Sequence, residues 1–155
     1  MKTTRIGLIS DTHGLLRPQA AAFLRGSDHI IHAGDIVDPA ILNALAAIAP
    51  VTAVRGNNDR GEWAMGLAET EVVELGSVLI YVLHDLAVLD IDAVAAGFRI
   101  VVCGHSHRPA VSERDGVLYV NPGSAGPRRF KLPITVAELM INGEAVTARF
   151  VELEA

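Results

Sequence analysis

Short apolar runs recur along the chain, and five of them stop at a side chain able to bind a metal ion. Arg5-Ile-Gly-Leu-Ile-Ser10 stops at Asp11-Thr-His13, His29-Ile-Ile-His-Ala-Gly34 at Asp35, and Val51-Thr-Ala-Val-Arg-Gly56 at Asn57-Asn-Asp59. Val78-Leu-Ile-Tyr-Val-Leu83 stops at His84, and Arg99-Ile-Val-Val-Cys-Gly104 at His105-Ser-His107. Near-continuous apolar residues are what a strand needs when both faces of its sheet are covered. The first run, residues 4–10, reads as a central strand in which Gly7 lets a neighbour approach closely. If the five strands lie side by side and parallel, their donors converge on one edge of the sheet.

Between these runs the period changes. Pro18 opens a helix that Gly26 stops, and Asp38 caps a second, with Pro39 at its first position and Ile41, Leu42, Leu45 and Ile48 at helical spacing up to Pro50. Past Gly61, two alternating segments, 71–75 and 78–83, flank Gly76-Ser77, a hairpin signal, and residues 92–97 read as a brief helix. Four further segments, 111–113, 117–120, 134–141 and 145–153, read as strands, with Asn142-Gly143 as the last turn. Parallel βαβ units followed by a meander predict a layered α/β sandwich, two packed sheets with helices outside.

A chain of 155 residues, half of them hydrophobic, fits one compact domain over residues 1–155. Its net charge of −5, with Lys and Arg scattered singly, offers no footprint for an extended nucleic acid, although a single phosphate group remains a suitable ligand. The only cysteine, Cys103, lies inside an apolar run, which excludes a disulfide framework. With Met-Lys-Thr-Thr-Arg leading directly into a strand, the expected location is cytoplasmic. No apolar run approaches the ~20 residues of a membrane helix, so no membrane partner is expected.

The donors Asp11, His13, Asp35, Asn57, His84, His105 and His107 mix carboxylate, imidazole and amide without thiolate. That mixture suits first-row divalent ions (Mn²⁺, Fe²⁺, Co²⁺, Ni²⁺ or Zn²⁺), whereas Ca²⁺ and Mg²⁺ prefer oxygen alone. Seven donors are more than one ion takes while keeping a place for water, so two ions bridged by a carboxylate are expected. Asp35, behind Gly34, is the candidate bridge. Water between two dications becomes a hydroxide nucleophile near neutral pH, and the same charges orient a phosphate ester for in-line attack.

The succession Asp11-x-His13, Gly34-Asp35, Gly56-Asn57-x-Asp59, His84 and Gly104-His-x-His107 resembles the calcineurin-like metallophosphoesterases over nearly the whole chain. Ser10-Asp-Thr-His-Gly14, His32-Ala-Gly-Asp35 and Asn121-Pro-Gly-Ser124 are similar to the small single-domain phosphodiesterase branch, which includes the Vps29 scaffold. The resemblance implies a four-layer α/β/β/α sandwich with two mixed β-sheets. It also implies one ion held by Asp11, His13, Asp35 and His107 and a second by Asp35, Asn57, His84 and His105, with manganese the expected metal and Ni, Fe, Co or Zn as alternatives.

Two positions depart from the pattern. Asn58 stands where relatives carry His or Cys, and an amide donates no proton to a leaving group. Asp85 follows His84 where Gly is usual, and is expected to face solvent or to orient His84 from outside the ligand shell. Among the other residues, His32 reads as packed rather than ligating, and His29 as a surface residue. Asp59 is expected to bond within its loop or to His13, Arg55 to reach a phosphate or solvent, and Arg128-Arg129 to be an equally ambiguous pair. Trp63 and Met65 would form a substrate wall or cover the core.

The expected activity is a dinuclear metal-dependent phosphodiesterase acting on a small phosphoester, with Asp35, Asn57 and Asn58 at the reaction centre. The alternative is a Vps29-like interaction scaffold with a vestigial site, against which all seven ligands are retained. A nuclease would need a basic groove that the charge pattern lacks. C-terminal edge strands could pair two copies into a homo-oligomer.

Overall fold

The computed structural model describes residues 3–153. In chain order its elements are β1 (Thr4–Ile9), α1 (Pro18–Leu24), β2 (His29–His32), α2 (Pro39–Ala46), β3 (Val51–Ala53), α3 (Glu62–Met65) and β4 (Thr70–Leu75). These are followed by β5 (Val78–Leu83), β6 (Ile100–Val102), β7 (Ala110–Arg114), β8 (Val117–Asn121), β9 (Thr135–Asn142) and β10 (Ala145–Glu152). The strands form two mixed five-stranded sheets, in the orders β10-β9-β1-β2-β3 and β4-β5-β6-β8-β7. In the first, β1 pairs parallel with β2 and antiparallel with β9; in the second, β5, β6 and β8 are parallel.

Alternation along the strands assigns the faces. Ile6 and Leu8 of β1, Ile80 and Val82 of β5, and Ile100 and Val102 of β6 meet between the sheets in one apolar core. The intervening residues face outward: Ile9 packs with Leu24 of α1 and Ile41 and Leu45 of α2, whereas Tyr81, Leu83, Val101 and Cys103 form a core on the far side. At Gly7 an added Cβ would collide with the Leu24 side chain, so this glycine sets how closely α1 lies on the first sheet.

The sandwich is therefore the expected α/β/β/α order, with one layer less regular than its name suggests. Residues 92–97 form turns rather than a helix, closed by Asp92 Oδ1 accepting from Ala95 N and by Gly97 at φ 84°. Leu86, Leu89, Ile91 and Phe98 nonetheless cover the outer face of the second sheet. The last hairpin pairs Asn142 with Ala145, so its two-residue loop is Gly143-Glu144 and Asn142 belongs to the strand. The donor-bearing strand ends do not line one sheet: β1, β2 and β3 end in the first and β5 and β6 in the second, and the donors meet across the open edge between them. Among the described residues no helix is long and apolar enough to cross a membrane.

Candidate metal centre

Past their last strand residues, the loops after β1 and β2 remain stitched together. Asp11 N donates to Gly34 O, His13 N to Asp35 O and Gly14 N to Ile36 O, at 2.9–3.0 Å. Asp11, His13 and Asp35 then sit at φ 54°, 45° and 59°, and His105 and His107 in the loop after β6 at 72° and 64°. Left-handed backbone costs an L-residue on the order of 1 kcal/mol. Glycine would fill these positions at less strain, so five carboxylate and imidazole side chains on such backbone mark these loops as a candidate site.

All seven expected ligands come together. Asp11 Oδ2 accepts from Ser10 Oγ at 2.7 Å and from His105 N at 3.1 Å. Its Oδ1, fully buried, has no hydrogen-bond partner among the described residues, yet Nε2 of His107 lies at 3.5 Å and those of His13 and His84 at 3.8 Å. Asp35 Oδ2 is 3.3 Å from His84 Nε2 and 3.5 Å from His13 Nε2. His84 Nδ1 donates to Ala33 O at 2.7 Å, which turns Nε2 inward. At the open end, exposed His105 places Nδ1 3.2 Å from Asn57 Oδ1 and 3.3 Å from His84 Nε2. Asp11, His13 and His107 form one potential ligand group, and Asp11, Asp35 and His84 another.

Electrostatics favours a cation here. Burial opposes charge on Asp11 and Asp35, but His13, His84 and Ser10 around the first, and His84 and Asn58 around the second, hold both carboxyls below the usual range. Burial likewise opposes charge on His84, but Asp35 and Asp11 outweigh it and raise its pKa. Two buried carboxylates thus face each other with only histidines as ion-pair partners among the described residues. An unpaired, inward carboxylate oxygen ringed by imidazole nitrogens at noncontact distances fits a divalent transition ion.

Several positioning residues were not legible as such. Asp59 bonds neither within its own turn alone nor to His13: Oδ1 accepts from Ile36 N and Val37 N, both at 2.8 Å, and Oδ2 from Asp35 N at 3.0 Å and Gly56 N at 2.8 Å. One buried carboxylate thereby holds the Asp35 loop. Asn58 spends its donors on Asp35, from its backbone N to Oδ1 at 2.8 Å and from Nδ2 to Oδ2 at 3.0 Å, so it clamps this carboxylate. The Asn121-Pro-Gly-Ser124 turn buttresses both ligand loops, with Asn121 Nδ2 donating to Gly104 O and Ser124 Oγ to Asp11 O, each at 3.0 Å. Gly34, at φ 104°, lets the His84 ring approach; a Cβ there would strike it.

The remaining candidates divide. Trp63 packs into the core below α1 and α2, whereas Met65 is exposed. Arg55 pairs with Glu69 at 3.2 Å, and Arg129 is near enough for its charge to act on His107. Asp85 lies beside His105 rather than His84. His29 is half-buried and meets Thr52 Oγ1 at 2.8 Å.

His32 is fully buried, and both of its ring nitrogens are engaged within the protein. Gly34 N donates to Nδ1 at 3.1 Å, so Nε2 carries the proton to Thr12 Oγ1 at 3.0 Å. Burial pushes its pKa from 6.5 to about 4. The unfolded chain therefore takes up this proton first as pH falls, and His32 removes stability between those two values, about 3 kcal/mol in all. Urea denaturation of chelated protein from pH 7 to 4 should show His32→Gln losing less stability than the unsubstituted chain by that amount. A gap between the two that stays constant with pH contradicts this assignment.

The calcineurin-like phosphoesterase superfamily domain matches residues 4–144. A Methanothermobacter thermautotrophicus protein named probable metallophosphoesterase is 33% identical, over 97% of this chain and 93% of its own. Among solved structures, an archaeal phosphodiesterase superposes with a TM-score of 0.83 at 24% identity, covering 97% of this chain and 100% of its own. Vps29 of Chaetomium thermophilum does so with a TM-score of 0.84 at 23% identity, covering 97% and 89%. At those identities the two structures establish likeness of fold.

Proposed function

The chain belongs to the calcineurin-like phosphoesterase superfamily, and from that premise we propose that it is a dinuclear metal-dependent phosphodiesterase acting on small phosphodiesters. In this reading Asp11, His13, Asp35 and His107 hold one ion and Asp35, Asn57, His84 and His105 the other. The observation that carries it is the buried, unpaired Asp11 Oδ1 facing three imidazoles, beside Asp35, from strained backbone. Two bound dications supply charge for the phosphoryl oxygens and a nucleophile from water at neutral pH. Manganese is the metal the family resemblance leads one to expect, and Ni, Fe, Co or Zn are compatible with the same donor set.

The chain's own residues set the limits of the chemistry. Asn58, committed to Asp35, keeps the proposed bridging carboxylate in place and has no proton to give the leaving group. A missing general acid removes a contribution of about 10²–10⁴ in rate for leaving groups that need protonation. Beside Asn57, His84 and His105 lies a cavity of about 470 Å³ walled by Tyr81, Leu83 and Val88, which can seat an ester arm. Asp85 and Asp90 also line it and its Arg55 is paired with Glu69, so an arm bearing a second phosphate is disfavoured.

Chelator-treated protein should fail to hydrolyse bis(para-nitrophenyl) phosphate and recover on adding Mn²⁺. Across aryl diesters, the rate should fall steeply as the phenol becomes less acidic. Turnover indifferent to chelation refutes the metal dependence, and a flat leaving-group profile refutes the lack of an acid. The fold likeness to Vps29 favours a second reading, an interaction module, which predicts metal uptake with no turnover.

A further inference from the structure

Four cations gather past the closed end of the site, where His13 and His107 pack ring to ring with centroids 5.2 Å apart. In a chain of net charge −5, Arg108 and the segment Arg128-Arg-Phe-Lys131 make a lobe without an acidic residue. The arginine–carboxylate pairs among the described residues use Arg5, Arg55, Arg99 and Arg149, and none of these four. Arg108 directly follows His107, and its backbone N donates to Ser106 Oγ at 3.2 Å, which also accepts from Asn121 Nδ2 at 3.0 Å. Arg108, Phe130, Lys131 and Leu132 line one cavity of about 650 Å³, and Arg129 is near enough for its charge to act on His107.

Neither folding nor packing accounts for Phe130. Leu132 N donates to Arg129 O at 3.1 Å and Arg128 Nη1 to Leu132 O at 3.2 Å, closing a tight turn. Phe130 is the second residue of that turn, at φ 54°, where Gly, Asn or Asp is favoured. A bulky residue is strained there and a core contact would be the ordinary compensation, yet Phe130 is 88% exposed. An aromatic face held in water among cations is what a stacking platform for a flat, anionic group requires.

A phosphodiester has two arms, and the site offers two unlike places for them. The cavity beside His84 and His105 is lined by Asp85 and Asp90 and suits an uncharged arm, which leaves. The lobe past His107 is its opposite in charge. We propose that Arg108, Phe130 and Lys131 are specificity-determining residues for the retained arm, and that this arm is a nucleotide, its base stacked on Phe130 and a further phosphate set against Arg108 and Lys131. This deepens the phosphodiesterase reading above and rests on it. A single nucleotide fills the lobe, so no extended basic groove is needed. In the reaction water bonds to phosphorus, the P–O bond to the uncharged arm breaks, and the leaving oxygen keeps the electron pair. The protons of that water pass to solvent, and the nucleotide remains as a bisphosphate.

The test compares thymidine 3′-(para-nitrophenyl phosphate) with and without a 5′-phosphate, on protein reloaded with Mn²⁺, by release of nitrophenolate. The quantity read is the ratio of kcat/KM between the two esters within one protein, so any general effect on the metal centre cancels. The unsubstituted chain should prefer the 5′-phosphorylated ester by about tenfold, the size of one hydrogen bond to a charged group. That preference should reside in KM and shrink as salt rises from about 50 to 500 mM. Arg108→Gln combined with Lys131→Gln, both exposed, should bring the ratio to about one. Phe130→Gly relieves the turn and should keep or raise the melting temperature. It should nonetheless cost both thymidine esters about tenfold in kcat/KM relative to methyl para-nitrophenyl phosphate, whose methyl arm cannot stack. A ratio near one in the unsubstituted chain, a preference that survives the double substitution, or an unchanged relative rate in Phe130→Gly each overturns the proposal and leaves the phosphodiesterase reading intact. Hydrolysis of none of the three esters overturns that reading, and this inference with it.

Discussion

Asp35→Asn is expected to abolish metal-dependent phosphodiester hydrolysis, lowering kcat by about a thousandfold or more, while leaving the chelated protein folded. Removing a partner that only orients a ligand weakens metal binding by about 10- to 100-fold, and losing a shared ligand should exceed this. The local hydrogen bonds dictate how the replacement sits. Asn58 N donates to Oδ1, so the amide oxygen must take that side and its NH₂ falls where Oδ2 faced His13 and His84. A donor then stands in the place of a ligand. The loop survives because Asp59, not the Asp35 side chain, holds its backbone. Metal content after dialysis, turnover of an aryl diester, and melting of the stripped protein distinguish the effects. A variant within tenfold of normal kcat removes Asp35 from the reaction centre.

The site has a closed and an open end, and the two were unequally legible in sequence. At the closed end, each ligand follows an apolar run within a few residues, and Asp11, Asp35 and His107 are buried as such runs lead one to expect. Runs of this kind specify strands but not which strands pair, because pairing depends on partners distant in sequence. The assignment of all donors to one sheet edge failed for that reason, and the actual arrangement across two sheets needs Gly104. A Cβ there would meet Ser10 Oγ and Asp11 Oδ2, so only glycine lets the loop after β6 close on the loop after β1.

Local signals erred where tertiary contacts decided the outcome. Asp92-Ala-Val-Ala-Ala-Gly97 has helix-forming composition but space for only a turn before Gly97, and its role is to cover the second sheet. Asn142-Gly143 located the last hairpin correctly and missed its register by one residue, because β9 extends to Asn142. Asp59 shows the limit most clearly. Three of the four amides it receives, those of Asp35, Ile36 and Val37, lie 22 to 24 residues earlier in the chain.

That carboxylate is the basis of the largest expected loss of stability. Asp59→Ala leaves four backbone N–H groups without their acceptor, in a residue only 5% exposed. Hydrogen bonds to a charged group contribute about 1.5–3 kcal/mol each and do not add fully when they share one acceptor. A loss of about 4 kcal/mol follows, or a fall in Tm of about 10 °C for a chain of this size. The damage should extend to function, since Asp35 and Val37 occupy left-handed backbone, at φ 59° and 71°, that these bonds stabilise. Asp59→Asn separates the two effects: one oxygen remains to accept from one pair of amides, while its NH₂ confronts the other pair. It should therefore melt below the unsubstituted chain yet retain part of its Mn²⁺ binding, whereas Asp59→Ala should bind little at temperatures where it is still folded. If Asp59→Ala melts within about 2 °C of the unsubstituted protein and takes up metal normally, the strained Asp35 loop is self-supporting and the carboxylate is incidental to it.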